Sequence, residues 1–251
     1  MEVLKFELSG KTAFFKKPDV NTYYYFTYGN IHKVALLGIL GAILGFKGYN
    51  EQKKEEQYPE FYEKLQKVKV AIVPKNERGY IPKKVQIFNN SVGYASKEEG
   101  GNLIVKEQWL ENPCWDIYIM EDEEIYPLLK ERILNYKFKF IPYLGKNDHY
   151  ANITNVDVFS DVKAISEAFE GHIDSLYLKY KGNILLEDED IFDGDLVEDE
   201  EEWKYEEWLP IALDKECNQY IKELMVFTNM KVSLDSDAEI YNVNDKKIFF
   251  F

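Results

Sequence analysis

The stretch from Gly38 to Gly48 constrains the fold of this chain more than any other. It reads GILGAILGFKG and belongs to an apolar segment that predicts a helix over about 31–44. A glycine inside a helix costs about 1 kcal/mol relative to alanine, so a helix with three of them is unusual. At about 100° per residue the three fall on one side of the helix and leave its backbone bare there. They are Gly38, Gly41 and Gly45.

Two interpretations of that bare side remain open from the sequence. Glycine permits an approach that bulkier residues forbid, so a large or polyanionic partner could lie directly against the helix backbone. Alternatively, the glycines allow the helix to pack tightly against a sheet of the same chain. Ala35 and Ala42 flank the same side and fit both interpretations.

Composition limits the class of protein. The 251 residues are 45% hydrophobic and 16% aromatic, which predicts a folded chain with one large or two small domains. The longest apolar run has 13 residues, fewer than the ~20 that span a bilayer. The N-terminus resembles an amphipathic strand rather than a signal peptide, so we expect a cytoplasmic protein without membrane contact.

The sequence contains no recognisable motif for a metal or another cofactor. Cys114 and Cys217 lie far apart, and the three histidines add no zinc-ligand spacing, so both cysteines are predicted to be inert core residues. The chain lacks GxGxxG after its first strand and lacks a phosphate-binding GxxxxGK[ST]. We therefore expect no metal and no other cofactor.

Charge is unevenly distributed. The formal net charge is −14, but residues 187–202 hold eleven carboxylates and no basic residue. Residues 1–87 hold 15 Lys and Arg against 9 Asp and Glu, a net charge of +6. Local charge rather than the total decides whether phosphates are attracted, so the N-terminal third is compatible with a nucleic-acid partner.

The order of predicted elements indicates an α+β fold. A first strand and the glycine-containing helix are followed by a second helix and strand, a long hairpin, a third strand, another helix and a fourth strand. This βαβ, hairpin, βαβ order is that of a ferredoxin-like, or RNA-recognition-motif-like, sheet. The predicted bounds are strands 2–8, 68–73, 114–120 and 136–141, helices 59–66 and 123–135, and hairpin strands 83–88 and 103–108.

Two regions are predicted. Residues 1–150 form the ferredoxin-like domain, with the hairpin protruding as a thumb over about 74–110. Residues 151–251 form a strand-rich C-terminal region that contains the acidic loop 187–202.

Five elements in this order resemble a known family. Ala13 to Pro18 reads AFFKKP and precedes the glycine-containing helix, and KEQWL, NPCWDI and PYLGKN follow at 106–110, 112–117 and 142–147. Together they resemble the Cas-five subunits of type I CRISPR surveillance complexes (Cascade), a branch of the RAMP superfamily, and most closely the type I-B variant. The resemblance covers about residues 1–155. Before the helix, where the family has Pro-Pro-Arg, this chain has Asn-Ile-His-Lys at 30–33.

The resemblance implies a role in antiviral defence. Such a subunit binds the 5′ handle of the guide crRNA, caps the backbone of the ribonucleoprotein, and contacts the repeated backbone subunit and the large subunit. It meets target DNA only indirectly, because guide–target pairing supplies sequence specificity. No catalysis and no homo-oligomer are expected.

The predicted RNA-binding residues combine cations for phosphates, aromatic rings for bases and glycines for close backbone approach. The set is Gly10, Lys11, Phe15, Lys16, Lys17, Tyr24, Tyr25, Tyr28, His32, Lys33, Gly38, Lys83, Lys84, Lys106 and Lys146.

Two other functions remain open. The homologous subunit of type I-C systems cleaves repeat RNA without metal, and candidate catalytic residues for such chemistry are Tyr28, His32 and Lys33, or Lys146 with His149. Alternatively, the acidic loop and its flanking aromatic residues could dock a basic protein, with no RNA contact.

Overall fold

We describe a computed structural model of the chain, in residues 1–20, 23–165, 168–185 and 201–251. Its α-helices are α1 (Lys33–Leu44), α2 (Glu60–Leu65) and α3 (Tyr126–Leu134). The strands are β1 (Val3–Ser9), β2 (Thr12–Ala13), β3 (Val70–Pro74), β4 (Lys83–Asn89), β5 (Ile104–Glu111), β6 (Cys114–Met120), β7 (Asn152–Phe159), β8 (Lys163–Ile165), β9 (Phe169–Gly171), β10 (Tyr177–Leu178), β11 (Gly182–Ile184), β12 (Lys204–Leu213), β13 (Tyr220–Thr228), β14 (Val232–Leu234), β15 (Ile240–Val243) and β16 (Lys246–Phe249).

A four-stranded antiparallel sheet, in the order β3-β6-β1-β7, organises the N-terminal part. This order and the helices between the strands confirm the predicted ferredoxin-like α+β fold. Leu4, Phe6 and Leu8 of β1 are buried in one core with all three helices. Val3 is buried in a second cluster that includes Val243 and Phe250 from the C-terminal region. Side chains along β1 alternate between the two faces of the sheet, so its apolar residues contribute to both buried clusters.

The fourth strand was predicted in the wrong place. Residues 136–141 form no strand, and the fourth strand is β7, which pairs with β1. The amides of Lys139 and Phe140 donate to the carbonyls of Ile43 and Ala42 at the end of α1, at 2.9 and 3.2 Å. Tyr136 also has a φ of 50°, which an extended strand excludes. The segment is therefore held beside α1 instead of in the sheet.

The predicted hairpin is present. β4 and β5 form it, and β2 pairs with the base of β5, in the sheet order β2-β5-β4. β4 begins at Lys83, as predicted, and the other three strand ends differ from the predicted ones by one to three residues.

The C-terminal region is rich in strands, the longest of which are the paired β12 and β13. The predicted acidic loop lies outside the described residues apart from Glu201 and Glu202. Cys114 is half-buried and Cys217 is exposed, so the prediction that both are core residues is wrong for Cys217. Within the described residues, no helix is both long and apolar enough to cross a membrane.

Candidate nucleic-acid groove

A groove of about 830 Å³ runs along α1. Ala35, Gly38 and Ala42 of the helix form its floor. The loop 14–16 with Tyr25, the segment 140–146 and the turn at 46–51 form its walls. The groove thus lies against the bare helix side that the sequence predicted.

The three helix glycines have three different environments. A Cβ on Gly38 would meet only a ring carbon of Phe61, at 3.9 Å, so this glycine opens into the groove. A Cβ on Gly41 would lie 2.5 Å from Cβ of Phe61, because α2 packs directly against the helix there. Gly45 ends the helix with a φ of 88°, which glycine adopts without strain. Tight packing within the chain therefore holds at Gly41, but against helix α2 instead of the predicted sheet, while Gly38 leaves space beside the helix backbone.

Lys16 supplies a cation on one wall. Its side chain is exposed, and its ammonium lies 4.1 Å from the centroid of the Tyr25 ring. Tyr25 is fixed by its backbone, because its amide donates to the carbonyl of Lys106 at 2.8 Å and its carbonyl accepts from the amide of Gln108 at 2.9 Å. A cation stacked on an anchored ring is a suitable contact for a phosphate beside a base.

Lys146 supplies the second cation, but it is paired. Its ammonium lies 3.0 and 3.1 Å from the two carboxylate oxygens of Glu107, a buried residue of β5. The indole of Trp109 donates to the same carboxylate at 2.8 Å. Glu107 is thus satisfied within the protein and holds Lys146 at the groove.

Phe15, Tyr28 and His32 lie beneath the surface, with exposed fractions of 3, 1 and 2%. The His32 ring packs edge-on against Phe15 and Tyr28, and its Nδ1 accepts from the amide of Ala35 at 3.2 Å, which caps α1. Burial lowers the pKa of His32 to about 3, so the imidazole is neutral at physiological pH. Burial also raises the pKa of the Tyr28 phenol well above its ordinary value.

Lys17 points away from the groove. Its ammonium lies 2.9 Å from Glu207 of β12, which also accepts from the amide of Gly29 at 2.8 and 3.0 Å and from the hydroxyl of Tyr205 at 2.7 Å. We call these four residues the Glu207 clamp. The clamp ties the loop that carries Lys16 and Tyr25 to the C-terminal region.

Lys33 is also absent from the described lining of the groove. Its ammonium lies 5.8 Å from the Phe251 ring, and burial lowers its pKa to about 8. A Cβ on Gly10 would lie 2.6 Å from Leu144, so the protein itself occupies the space beside this glycine. Lys11 is exposed but likewise does not line the groove.

The remaining predicted RNA-binding residues lie around the thumb and the aromatic loop. Tyr24 is half-buried, with its ring 4.7 Å from that of Phe26. Lys106 is exposed on β5, and Lys84 pairs with Glu111 at 3.2 Å. Burial lowers the pKa of Lys83, at the start of β4.

His149 lies in the turn after Lys146 and is 1% exposed. Its Nδ1 is 2.6 Å from the hydroxyl of Thr12, and its ring packs edge-on against Trp109 at 4.6 Å. Burial, followed by the positive charge of Lys146, lowers its pKa. The structure thus places His149 as a buried support of the turn that carries Lys146.

Three exposed aromatic residues at the groove escaped the prediction: Tyr49, Phe140 and Tyr143. Each is between 43 and 56% exposed. The PYLGKN motif contains Tyr143 and was a signal for it. Phe140 was missed because its segment was assigned to a strand, and Tyr49 because nothing in its charged surroundings marks it.

Comparisons with known proteins show the fold. No protein-family model matches the sequence, and no curated protein does. A solved chain described as a CRISPR RNA-guided surveillance complex matches over 91% of this chain and 90% of its own, with a TM-score of 0.52 and 9% identity. A CRISPR protein from Archaeoglobus fulgidus matches over 99% of both chains, with a TM-score of 0.50 and 10% identity. At such low identity the match establishes a shared architecture.

Proposed function

We propose that this chain is a non-catalytic subunit of a CRISPR surveillance complex and that its groove binds the 5′ handle of the guide RNA. The groove along α1 is the observation that carries the proposal. Both structural neighbours described above are CRISPR proteins, and one belongs to an RNA-guided complex. The sequence motifs resemble those of the type I-B Cas-five variant most closely, so we propose that the chain acts in the cytoplasm and contacts the backbone and large subunits. Target DNA then meets the chain through the assembled complex.

The chemistry of the groove fits single-stranded RNA. Single strands are bound by cations that follow the phosphates and by rings on which bases stack, at about 1–3 kcal/mol per stacked base. Lys16 and Lys146 lie beside Tyr25, Phe140 and Tyr143, and the helix floor at Gly38 admits a sugar–phosphate backbone. The net charge of −14 does not oppose this, because Lys16 belongs to residues 1–87, which carry a net charge of +6.

The positions of the candidate catalytic residues favour a structural role over RNA cleavage. A general base must come within hydrogen-bond reach of the 2′-hydroxyl that it deprotonates. His32 caps a helix below the surface, and Tyr28 beside it is buried. His149 is buried against Thr12 and Trp109, while Lys146 is paired with Glu107. We therefore propose that another protein processes the repeat RNA.

Co-purification tests the RNA proposal. The chain is expressed with the proteins encoded beside it, isolated by a tag, and the 5′ ends of bound RNA are sequenced. We expect one short repeat-derived tag followed by varied spacers. An intact protein complex without RNA would refute handle binding and favour the protein-only alternative. Cleavage of a repeat oligonucleotide by the purified chain in chelator would refute the non-catalytic assignment.

Two substitutions test whether the RNA binds in the groove. Gly38→Leu fills the open floor and has better helix propensity by about 0.8 kcal/mol, so we expect RNA affinity to fall by about tenfold or more without loss of thermal stability. Lys16→Ala should flatten the salt dependence of RNA binding by about 0.7 in log–log slope if it removes one phosphate contact. Lys67→Ala is the matched control, because Lys67 is exposed and does not line the groove. Equal slopes for both lysine variants would exclude Lys16 from the site.

A further inference from the structure

The thumb has one covered edge and one open edge. On the covered side, β5 pairs with β2 and bonds to Tyr25. On the other side, β4 is the last strand of the sheet. Among the described residues, no backbone group from outside the hairpin bonds to Val85, Gln86 or Ile87. An unprotected edge strand is a template for pairing with another chain.

The direction of the β4 amides follows from the bonds of β5. Lys106 and Gln108 direct their backbone groups toward Tyr25, away from β4. They stand opposite Ile87 and Val85 in the hairpin register. Backbone groups alternate along a strand, so Gln86 opposite Glu107 is bonded within the hairpin, whereas the backbone groups of Val85 and Ile87 point to the open edge.

The same two residues also expose their side chains. Val85 is 53% and Ile87 56% exposed, and Ile104 on the same face of β5 is 52% exposed. Exposed β-branched residues are unusual on an edge strand, where charges, prolines or bulges normally prevent association. Val85 and Ile87 of β4 therefore combine backbone groups that point to the open edge with exposed apolar side chains.

We infer that the open edge of β4 binds an extended segment of another protein subunit by strand addition. The inference rests on the assembly part of the proposed function and uses no residue that lines the RNA groove. Main-chain hydrogen bonds to Val85 and Ile87 supply affinity in this binding mode, and side-chain contacts supply specificity. β4 carries Lys83 and Lys84 and no carboxylate, and Lys84 is already paired with Glu111 at 3.2 Å. The segment is therefore one with apolar residues beside Val85 and Ile87 and an acidic residue beside Lys83.

Amide hydrogen exchange tests the geometry. In the free chain we expect the amides of Val85 and Ile87 to exchange about tenfold or more faster than that of Gln86. In the purified complex the two outward amides should slow by at least about tenfold, to rates near that of Gln86. Unchanged rates at Val85 and Ile87 in the complex would overturn the inference.

A proline substitution tests whether a protein partner binds to the backbone of β4. Ile87→Pro removes an outward donor without removing a β4–β5 hydrogen bond, and edge strands tolerate proline. We expect it to reduce the recovery of protein partners by about tenfold, while retained protection of Gln86 and retained RNA binding by the isolated chain show that the hairpin and groove are intact. The matched Ile87→Thr keeps the amide and the β-branched shape, and should retain partners better than the proline variant.

The experiments distinguish a failure of strand addition from a failure of the proposed function. Full recovery of partners with Ile87→Pro would overturn strand addition and leave the proposed function standing. A wild-type chain that assembles with no protein encoded beside it would refute the assembly proposal and, with it, this inference.

Discussion

Loss of the Glu207 carboxylate should destabilise the whole N-terminal loop. In Glu207→Ala the amide of Gly29 and the hydroxyl of Tyr205 lose their acceptor, and an unsatisfied buried group costs about 1–3 kcal/mol. The Lys17 ion pair adds less than about 1 kcal/mol, since the lysine side chain is 31% exposed. We therefore expect a loss of about 3 kcal/mol in the free energy of unfolding, or about 6–12 °C in Tm for a chain of this size. Urea and thermal unfolding measure both.

The neighbouring Glu206 supplies the control for this prediction. Its carboxylate pairs only with Lys204 among the contacts described, at 3.3 Å and near the surface, so Glu206→Ala should change stability by less than about 1 kcal/mol. Glu207→Gln keeps an acceptor for Gly29 and should lose about half as much as the alanine variant. If Glu206→Ala and Glu207→Ala unfold at the same urea concentration, the clamp does not hold the loop and the reasoning fails.

Two further predictions concern α1. Because the neutral imidazole of His32 is favoured in the fold, its contribution is complete above the unfolded pKa near 6.5 and declines as the pH falls toward about 3. We expect the free energy of unfolding to fall by about 2 kcal/mol between pH 7 and 5. His32→Asn keeps the helix cap and should show a flatter dependence of stability on pH. Identical pH dependence of urea unfolding in the two proteins would contradict this assignment. Gly41→Ala should lose about 1–3 kcal/mol because its Cβ meets Phe61, whereas Gly38→Ala should gain about 0.5–1 kcal/mol. A change of the same sign in both would mean that the two glycines do not differ in role.

The fold was largely predictable because its signals are local. The alternation of β1 and the apolar run of α1 identified the first half of the sheet domain, and glycines around polar residues identified the thumb. The strand predicted at 136–141 failed for a non-local reason. Its apolar alternation suits a strand, but the carbonyls at the end of α1 hold its amides, and no pattern within the segment reports that partner.

The site was less predictable, because sequence shows residue types but not their ionic partners. Lys16 and Lys17 are adjacent and look equivalent, yet one is stacked on Tyr25 at the groove and the other is neutralised by Glu207. Glu207 lies 190 residues further along the chain, so no local pattern distinguishes the two lysines. The same holds for Lys146, whose partner Glu107 comes from the thumb.

The groove and the thumb are linked through the Lys146–Glu107 ion pair and through the backbone of β5. Glu107, bonded by Trp109, holds Lys146 at one wall, while the backbone groups of Lys106 and Gln108 hold Tyr25 at the other. The thumb base therefore shapes both walls of the groove, even though its open edge faces elsewhere. A strand added to β4 would stiffen β5 through the β4–β5 ladder, and with it the positions of Lys146 and Tyr25. In the function proposed here, binding of a protein partner and binding of RNA should then strengthen one another, because each orders the same strand.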